Sequence, residues 1–122
     1  MHTNFLKLFI FLPSFFILIP NYSNAANLQQ YGLSIQKIRS VGDYEGQTFD
    51  STIELWFTAP LNWPSGSACT TTFRVFIDAK HKQLISAALL ALATGRKVDI
   101  NVDDSLPIRS GSCEVSFLDV SA

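Results

Sequence analysis

The chain carries its clearest structural signals between Phe73 and Val102, where it reads FRVFIDAKHKQLISAALLALATGRKVDINV. Apolar residues recur at every second position from Phe73 to Ile77 and again from Val98 to Val102, and this period of two predicts strands. Between them, Leu84–Gly95 has no charged residue and is rich in helix-forming leucine and alanine. The segment therefore predicts a strand, a helix and a second strand.

Both ends of the helix carry sequence signals. Asp78 is a favourable N-cap residue because its carboxylate can accept hydrogen bonds from free backbone N–H groups. Gly95 suits the position just after a helix, where the backbone often turns left-handed. We therefore expect the helix to lie between Asp78 and Gly95.

At about 100° per residue the helix has two unlike faces. The leucine-rich face is predicted to pack on the protein's own core and comprises Leu84, Ile85, Ala88, Leu89 and Leu92. The opposite face is small and weakly polar and comprises Ser86, Ala87, Leu90, Ala91, Ala93 and Thr94. Such a face either receives a neighbouring subunit or is an exposed surface filled by strong helix formers.

Working outward, the remaining strands give the fold class. Alternation predicts a strand over Ile53–Phe57, and a shift of parity predicts a bulge in a first strand around Leu33–Val41. The last strand, Cys113–Val120, shifts parity after Phe117, which indicates either a bulge or burial on both faces. The order is three strands, one helix and two strands, so we expect a mainly β protein with one helix. A bent first strand in that order is typical of a five-stranded OB-fold barrel; an α+β sandwich is the alternative.

The N-terminal residues predict export. Lys7 precedes an apolar run broken by Pro13, and Ser23 and Ala25 occupy the small-residue positions of a signal-peptidase site. We expect residues 1–25 to be a signal peptide and 26–122 a single domain, secreted or periplasmic, without a membrane span. A membrane anchor is the weaker alternative because the run is shorter than the roughly 18 to 20 residues that span a bilayer.

Charge and cysteine content narrow the function. Without Lys7, the mature chain has eight basic and ten acidic residues, a net charge near −2, which argues against nucleic-acid binding. Cys69 and Cys113 are the two cysteines, and an even pair in an exported domain most simply forms a disulfide; a reactive thiol is the alternative. Two sulfurs and the mature chain's one histidine, His81, do not make a metal site, and no cofactor is expected.

The segment LLALATGRKV, with a cysteine before the third strand and another before the last, resembles the B-subunit-like family of subtilase cytotoxin and typhoid toxin. The resemblance covers about residues 34–120 and implies an OB-fold homopentamer whose helices line the centre of the ring. It also implies a host glycan ligand and a catalytic A subunit as partner. On this basis the predicted subunit-interface residues are Ala87, Leu90, Ala91 and Thr94.

Candidate glycan-binding residues come from two sources. The resemblance places Tyr31 or Ser34 at the sugar-binding surface. The residues themselves suggest Trp56, Tyr44 and Arg74, since sugars stack their C–H faces on exposed aromatic rings and need polar partners for their hydroxyls. The alternative for Trp56 is that it covers a subunit interface or a second small core.

No catalytic constellation is expected. Asp78 and His81 lie three residues apart, but a capping carboxylate and a solvated histidine explain them. Asp103 and Asp104 lack the further ligands of a calcium loop and read as a solvated turn. We therefore expect a non-catalytic binding module that forms a ring. The alternatives are a periplasmic structural or interaction protein, and a secreted inhibitor that presents Trp63 to an enzyme.

Overall fold

A computed structural model describes residues 13–14 and 27–122 of the chain. Apart from Pro13 and Ser14, the predicted signal peptide and its cleavage site lie outside the described residues. The elements are β1 Asn27–Leu33, β2 Ile35–Val41, β3 Thr52–Phe57, β4 Arg74–Asp78, α1 Lys82–Thr94, β5 Val98–Asp103 and β6 Glu114–Val120. The prediction of a mainly β protein with one helix is confirmed.

The strands form one mixed sheet in the order β1, β5, β6, β4, β3, β2. All neighbours are antiparallel except β4 and β6, which pair in parallel at Phe76 and Glu114. The hydrogen-bonded order ends at β1 and β2, so the structure is a six-stranded sheet rather than the closed five-stranded barrel that was expected. These two edge strands are consecutive in the chain and separated only by Ser34.

The extra strand is β1 Asn27–Leu33, which precedes the strand predicted around Leu33–Val41 and was not expected. Gly32 has a φ of 64°, a left-handed conformation that glycine adopts without steric cost. The register shifts between Gln30 and Leu33 on one side and between Ile35 and Lys37 on the other. The chain therefore turns between β1 and β2, so that β1 pairs with β5 and β2 with β3. The bulge expected within Leu33–Val41 corresponds to the shift between Ile35 and Lys37.

The last strand contains a bulge, one of the two explanations of its parity shift, and the bulge lies before Phe117 rather than after it. Asn101 faces Phe117, whereas the next residue, Val102, faces Val115, so Ser116 is the extra residue. The bulge leaves Val115 buried and Phe117 42% exposed.

The core lies on one face of the sheet and is closed by α1. It is built from alternating strand residues, mainly Leu55, Phe57, Val75, Ile77, Val98, Ile100, Val102 and Val115. Phe73 was expected in this core but is 45% exposed, because β4 begins only at Arg74. Phe76, on the opposite face of β4, is almost completely buried instead; the guanidinium of Arg109 covers its ring at 5.0 Å.

Helix α1 begins later than expected. Its N-cap is His81, which makes no side-chain capping bond. Asp78 is not the cap: it ends β4, and its carboxylate accepts a hydrogen bond from the backbone N–H of Lys80 in the connecting turn at 3.0 Å. The predicted end is confirmed, since Gly95 has a φ of 66° and its N–H closes the last turn.

The prediction of the helix faces was partly wrong. Ala88 and Ala91 are the fully buried helix residues, at 0% and 1% exposure, whereas Leu89 and Leu90 are 50% and 56% exposed. Leu84 and Ile85 do pack on the core as expected. Alanine at the contact lets the helix backbone lie close to the sheet, and the strands already supply the bulky core side chains. Ala91 therefore belongs to the core rather than to the exposed face.

Leu92, also predicted to be buried, is 39% exposed. Within the described residues, no helix is long and apolar enough to cross a membrane.

The predicted disulfide is confirmed. Cys69 and Cys113 are bonded, with Cα atoms 5.5 Å apart, and both are buried. The bond links the segment before β4 to the residue preceding β6, and thus fixes the two strands that meet in the single parallel pairing.

Replacing both cysteines by serine should lower the free energy of unfolding by about 4 kcal/mol, because the bond closes a loop across a sequence separation of 44 residues. Urea denaturation followed by circular dichroism measures this. Wild-type protein unfolded with a reductant is the matched control and should show the same loss. Equal stability of the double variant and the oxidised protein would contradict the prediction.

Candidate functional site

Three buried side chains form a row across the outer face of the sheet, opposite the core. Glu54 on β3 pairs with Phe76 on β4, and Phe76 pairs with Glu114 on β6. Glu54, Phe76 and Glu114 are only 2%, 1% and 5% exposed. Two carboxylates removed from water on either side of a phenyl ring require polar partners, because burying an unpaired charge is costly.

Glu54 obtains its partners from the neighbouring strands. Its Oε1 accepts a hydrogen bond from Nη1 of Arg74 at 3.2 Å, and its Oε2 lies 3.4 Å from Nη1 of Arg39. The indole Nε1 of Trp56 donates to the same Oε2 at 3.4 Å. Both carboxylate oxygens of Glu54 are thus engaged, and Glu54 holds Trp56 and the two arginines in place.

Trp56 is surrounded by cations and a second ring. The Nζ of Lys37 lies 3.8 Å from the centre of its ring, and the guanidinium carbons of Arg39 and Arg74 lie at 5.2 and 5.8 Å. The ring of Phe73 packs at 4.8 Å. We call these five residues the aromatic–cation surface; it lies on β2, β3 and the start of β4.

The candidate glycan residues are dispersed. Register and contact bring Trp56 and Arg74 together. Tyr44 lies in the loop between β2 and β3, 53% exposed, and packs edge-on against Phe49 at 5.7 Å. Tyr31 is 69% exposed on β1 and donates a hydrogen bond to the Gln29 side chain.

Ser34 lies at the junction of β1 and β2, where its carbonyl accepts a hydrogen bond from the N–H of Thr58 at 3.1 Å. Among the described contacts, Trp56 with Arg74 is therefore the one pair of candidates that meets.

A second charged group lies at the other end of β4. Nη2 of Arg109 donates to Oδ2 of Asp78 at 2.9 Å, and Nε2 of His81 lies 3.7 Å from Oε1 of Glu114. These pairs were not expected, since Asp78 was predicted to cap the helix and His81 to be solvated. They join residues far apart in sequence, so local spacing gave no sign of them.

Burial and neighbouring charge shift two pKa values in opposite directions. Burial, reinforced by the negative charge of Asp78, raises the pKa of Glu114 above its ordinary value of 4.5. The backbone hydrogen bond from Lys80 and the nearby Arg109 lower the pKa of Asp78, against the opposing effect of partial burial. The fold therefore disfavours the ionised form of Glu114 and favours that of Asp78.

The Asp103 turn and Trp63 have local structural explanations. Oδ1 of Asp103 accepts hydrogen bonds from the N–H and hydroxyl of Ser105 at 2.9 and 2.6 Å, which lower the pKa of Asp103. Within the described residues, no three potential ligands lie close enough to hold a metal ion. Trp63 packs against the core and its Nε1 donates to the carbonyl of Thr71 at 2.8 Å.

An exposed apolar face on α1 is the remaining feature. Ser86, Leu89, Leu90 and Ala93 follow the spacing of one helical stripe, and all four are exposed in the monomer. Leu92 borders the stripe. The helical periodicity predicted that Leu90 is exposed, but it assigned all the remaining leucines of the stretch to the core and so missed the exposure of Leu89 and Leu92.

Chemically, the aromatic–cation surface can stack an apolar ligand face on Phe73 and donate hydrogen bonds from Lys37 and Arg39. The helix face can bury apolar area against a second helix. Comparison with known proteins adds no assignment, since no protein-family model and no curated protein matches the chain.

Replacing Glu114 by glutamine should flatten the dependence of stability on pH. Because the folded protein binds this proton more tightly than the unfolded chain, protonation of Glu114 stabilises the fold. That contribution is complete below pH 4.5 and is lost as the pH rises through the raised pKa. Urea denaturation from pH 4.5 to about pH 7 should therefore show a shallower fall for Glu114→Gln than for wild type.

Glu45→Gln, at an exposed position in the β2–β3 loop, is the control and should keep the wild-type slope. A Glu114→Gln protein whose stability falls with pH as steeply as that of wild type would show that another group causes the dependence.

Proposed function

We propose that this protein is an exported, non-catalytic binding module with OB-fold topology, which assembles into a ring through α1 and binds a glycan on the flank of its sheet. The toxin B-subunit resemblance suggests a homopentamer, a host glycan and a catalytic A subunit as partner. The exposed leucines of α1 are the observation that carries the proposal, because they call for a partner that the monomer does not supply.

The strand arrangement supports the OB-fold part of the proposal. In an OB-fold the first strand is strongly bent and pairs with two others, so that the sheet curls back on itself. Here β1 and β2 are the two edges of the sheet yet follow one another directly through Ser34, and α1 connects β4 to β5. The lone parallel pairing of β4 with β6 is compatible with the same topology.

The helix face supports self-association. Leu89 and Leu90 expose half or more of their side chains in the middle of a segment without a single charge. A charged partner surface would leave its charges unpaired there, whereas a second copy of α1 offers the same leucines flanked by Ser86 and Ala93. Small residues beside leucines let two such helices pack closely.

The aromatic–cation surface supports glycan binding. Trp56 is partly buried, with one cation directly over its ring, so the more accessible ring is that of Phe73, which is 45% exposed. Sugars bind by stacking C–H groups on such a ring while charged and polar side chains receive their hydroxyls. Glu54 orients the surface by bonding Trp56, Arg39 and Arg74.

The inhibitor alternative loses support because Trp63 is turned toward the core and bonded to Thr71. A structural or interaction protein without a glycan ligand remains the second candidate, since the helix face would serve it equally well.

Replacing Leu90 by glutamate should abolish assembly, because each subunit would place a carboxylate in an apolar contact at a cost of several kcal/mol. Native mass spectrometry of the mature protein should give a mass of five chains for wild type and of one chain for Leu90→Glu. The circular dichroism spectrum should be unchanged, since Leu90 is outside the core.

Gln47→Glu, which adds the same charge at an exposed site in the β2–β3 loop, should leave the assembly intact. A monomeric wild-type protein would overturn the ring.

Replacing Phe73 by alanine should reduce glycan binding about tenfold or more, because an exposed stacking ring contributes on the order of 1 to 2 kcal/mol. Binding to a glycan array measures this, with Trp56→Ala expected to have a similar effect. Tyr44→Ala removes another exposed ring, in the β2–β3 loop. It is the control that distinguishes a glycan site on the flank of the sheet from one in that loop. Loss of binding in Tyr44→Ala alone would move the site to the loop.

A further inference from the structure

The aromatic–cation surface carries an excess of positive charge on a chain that is negative as a whole. Three cationic side chains lie at the ring of Trp56, those of Lys37, Arg39 and Arg74. The carboxylate of Glu54 forms ion pairs with the two arginines. The formal charge of the whole chain is −1. An excess of about two positive charges at this surface, on a chain that is negative overall, produces a localised positive potential rather than a basic surface over the whole protein.

Both carboxylate oxygens of Glu54, which lies beneath this surface, already have partners. Oε1 of Glu54 takes Arg74, and Oε2 takes Arg39 and the indole of Trp56. Arg74 is fixed further, because its Nε donates to the hydroxyl of Ser112 at 2.9 Å. Nothing remains on Glu54 to neutralise another cation.

Lys37 is that further cation. Its side chain is exposed, and its Nζ lies over the Trp56 ring at 3.8 Å. In the part of the chain that the structure describes, no carboxylate lies within ion-pair distance of it. Arg39 is also accessible, with 48% of its side chain exposed. Lys37 and Arg39 therefore present N–H donors at the ring of Trp56, against which the exposed ring of Phe73 packs.

We propose that this surface binds an acidic polysaccharide, whose sulfate or carboxylate group is received by Lys37 and Arg39 while a sugar ring stacks on Phe73. The inference rests on the proposed glycan-binding function and names the ligand class. Guanidinium and ammonium groups make their strongest hydrogen bonds to such anions. Arg74 acts as a positioning residue, since Glu54 and Ser112 occupy its donors.

A polysaccharide fits better than a nucleic acid. Nucleic-acid sites neutralise a run of phosphates with a broad basic face, whereas this chain has ten acidic and nine basic residues and the aromatic–cation surface offers exposed donors from Lys37 and Arg39 alone. A polysaccharide with widely spaced acidic groups needs only such a local site.

The test measures the affinity of the intact mature protein for four probes by isothermal titration calorimetry. Heparin oligosaccharides supply sulfate, oligogalacturonates supply carboxylate, dextran oligosaccharides are neutral, and oligothymidylate represents nucleic acid. We expect binding to one or both acidic sugars, weakening as salt is added. Lys37→Gln should reduce that affinity about tenfold, because a charged hydrogen bond of about 1.5 kcal/mol is lost.

Lys82→Gln removes the same charge at an exposed position at the start of α1 and should leave the affinity unchanged. Lys37→Arg keeps the charge and should retain most of the binding. The preference between the sulfated and carboxylated probes then identifies the anionic group.

Three other results would each contradict the proposal in a distinguishable way. Equal affinity for dextran and the acidic probes, unaffected by Lys37→Gln, would overturn the anionic ligand while the glycan function stood. Absence of binding to any sugar, here and on the glycan array, would overturn both. Tighter binding of oligothymidylate than of any sugar would identify a nucleic-acid site instead.

Discussion

The guanidinium of Arg109 joins three segments that would otherwise meet only through the sheet. It donates to the carbonyl of Asp50 at 2.8 Å and to the carboxylate of Asp78 at 2.9 Å, and it covers the ring of Phe76. The β2–β3 loop, the end of β4 and the segment before β6 are thereby closed over the outer face. Glu114 is buried beside Phe76, and this burial raises its pKa, although the positive charge of Arg109 acts in the opposite direction.

Burial of the outer face explains how a small domain can hold the aromatic–cation surface in a fixed arrangement. Both faces of β4 are covered, the inner one by the core and the outer one by Arg109 and its neighbours. Glu54, at one end of the row, is held within this layer and in turn fixes Trp56 and Arg74. A site held by buried ion pairs loses little conformational entropy on binding. The helix face needs no such support, since its leucines project from a continuous helix.

Particular residues show what sequence reasoning could reach. The irregularity between Ile35 and Lys37 and a bulge in the last strand could be inferred because each shifts the parity of an alternating strand, but the position of the second, at Ser116, could not. The disulfide followed from cysteine number and expected compartment. Glu54 with Trp56 could be placed on one face from their spacing. The contacts of these two residues with Lys37, Arg39 and Phe73 could not be predicted, because the register between strands is a long-range property.

The sequence by itself determined the order of elements from β2 onward, the end of the helix at Gly95 and the cysteine pair, since each depends on local periodicity, backbone freedom or residue count. Tertiary structure decided that β1 forms and which residues of the helix complete its buried face. Periodicity placed Ala88 in the core and Leu90 outside it, but it also favoured burying Leu89, whereas close approach of α1 to the sheet selected Ala91 and left Leu89 exposed. Tertiary structure also decided the pairing of Glu114 with His81, because only folding brings β6 beside the start of α1.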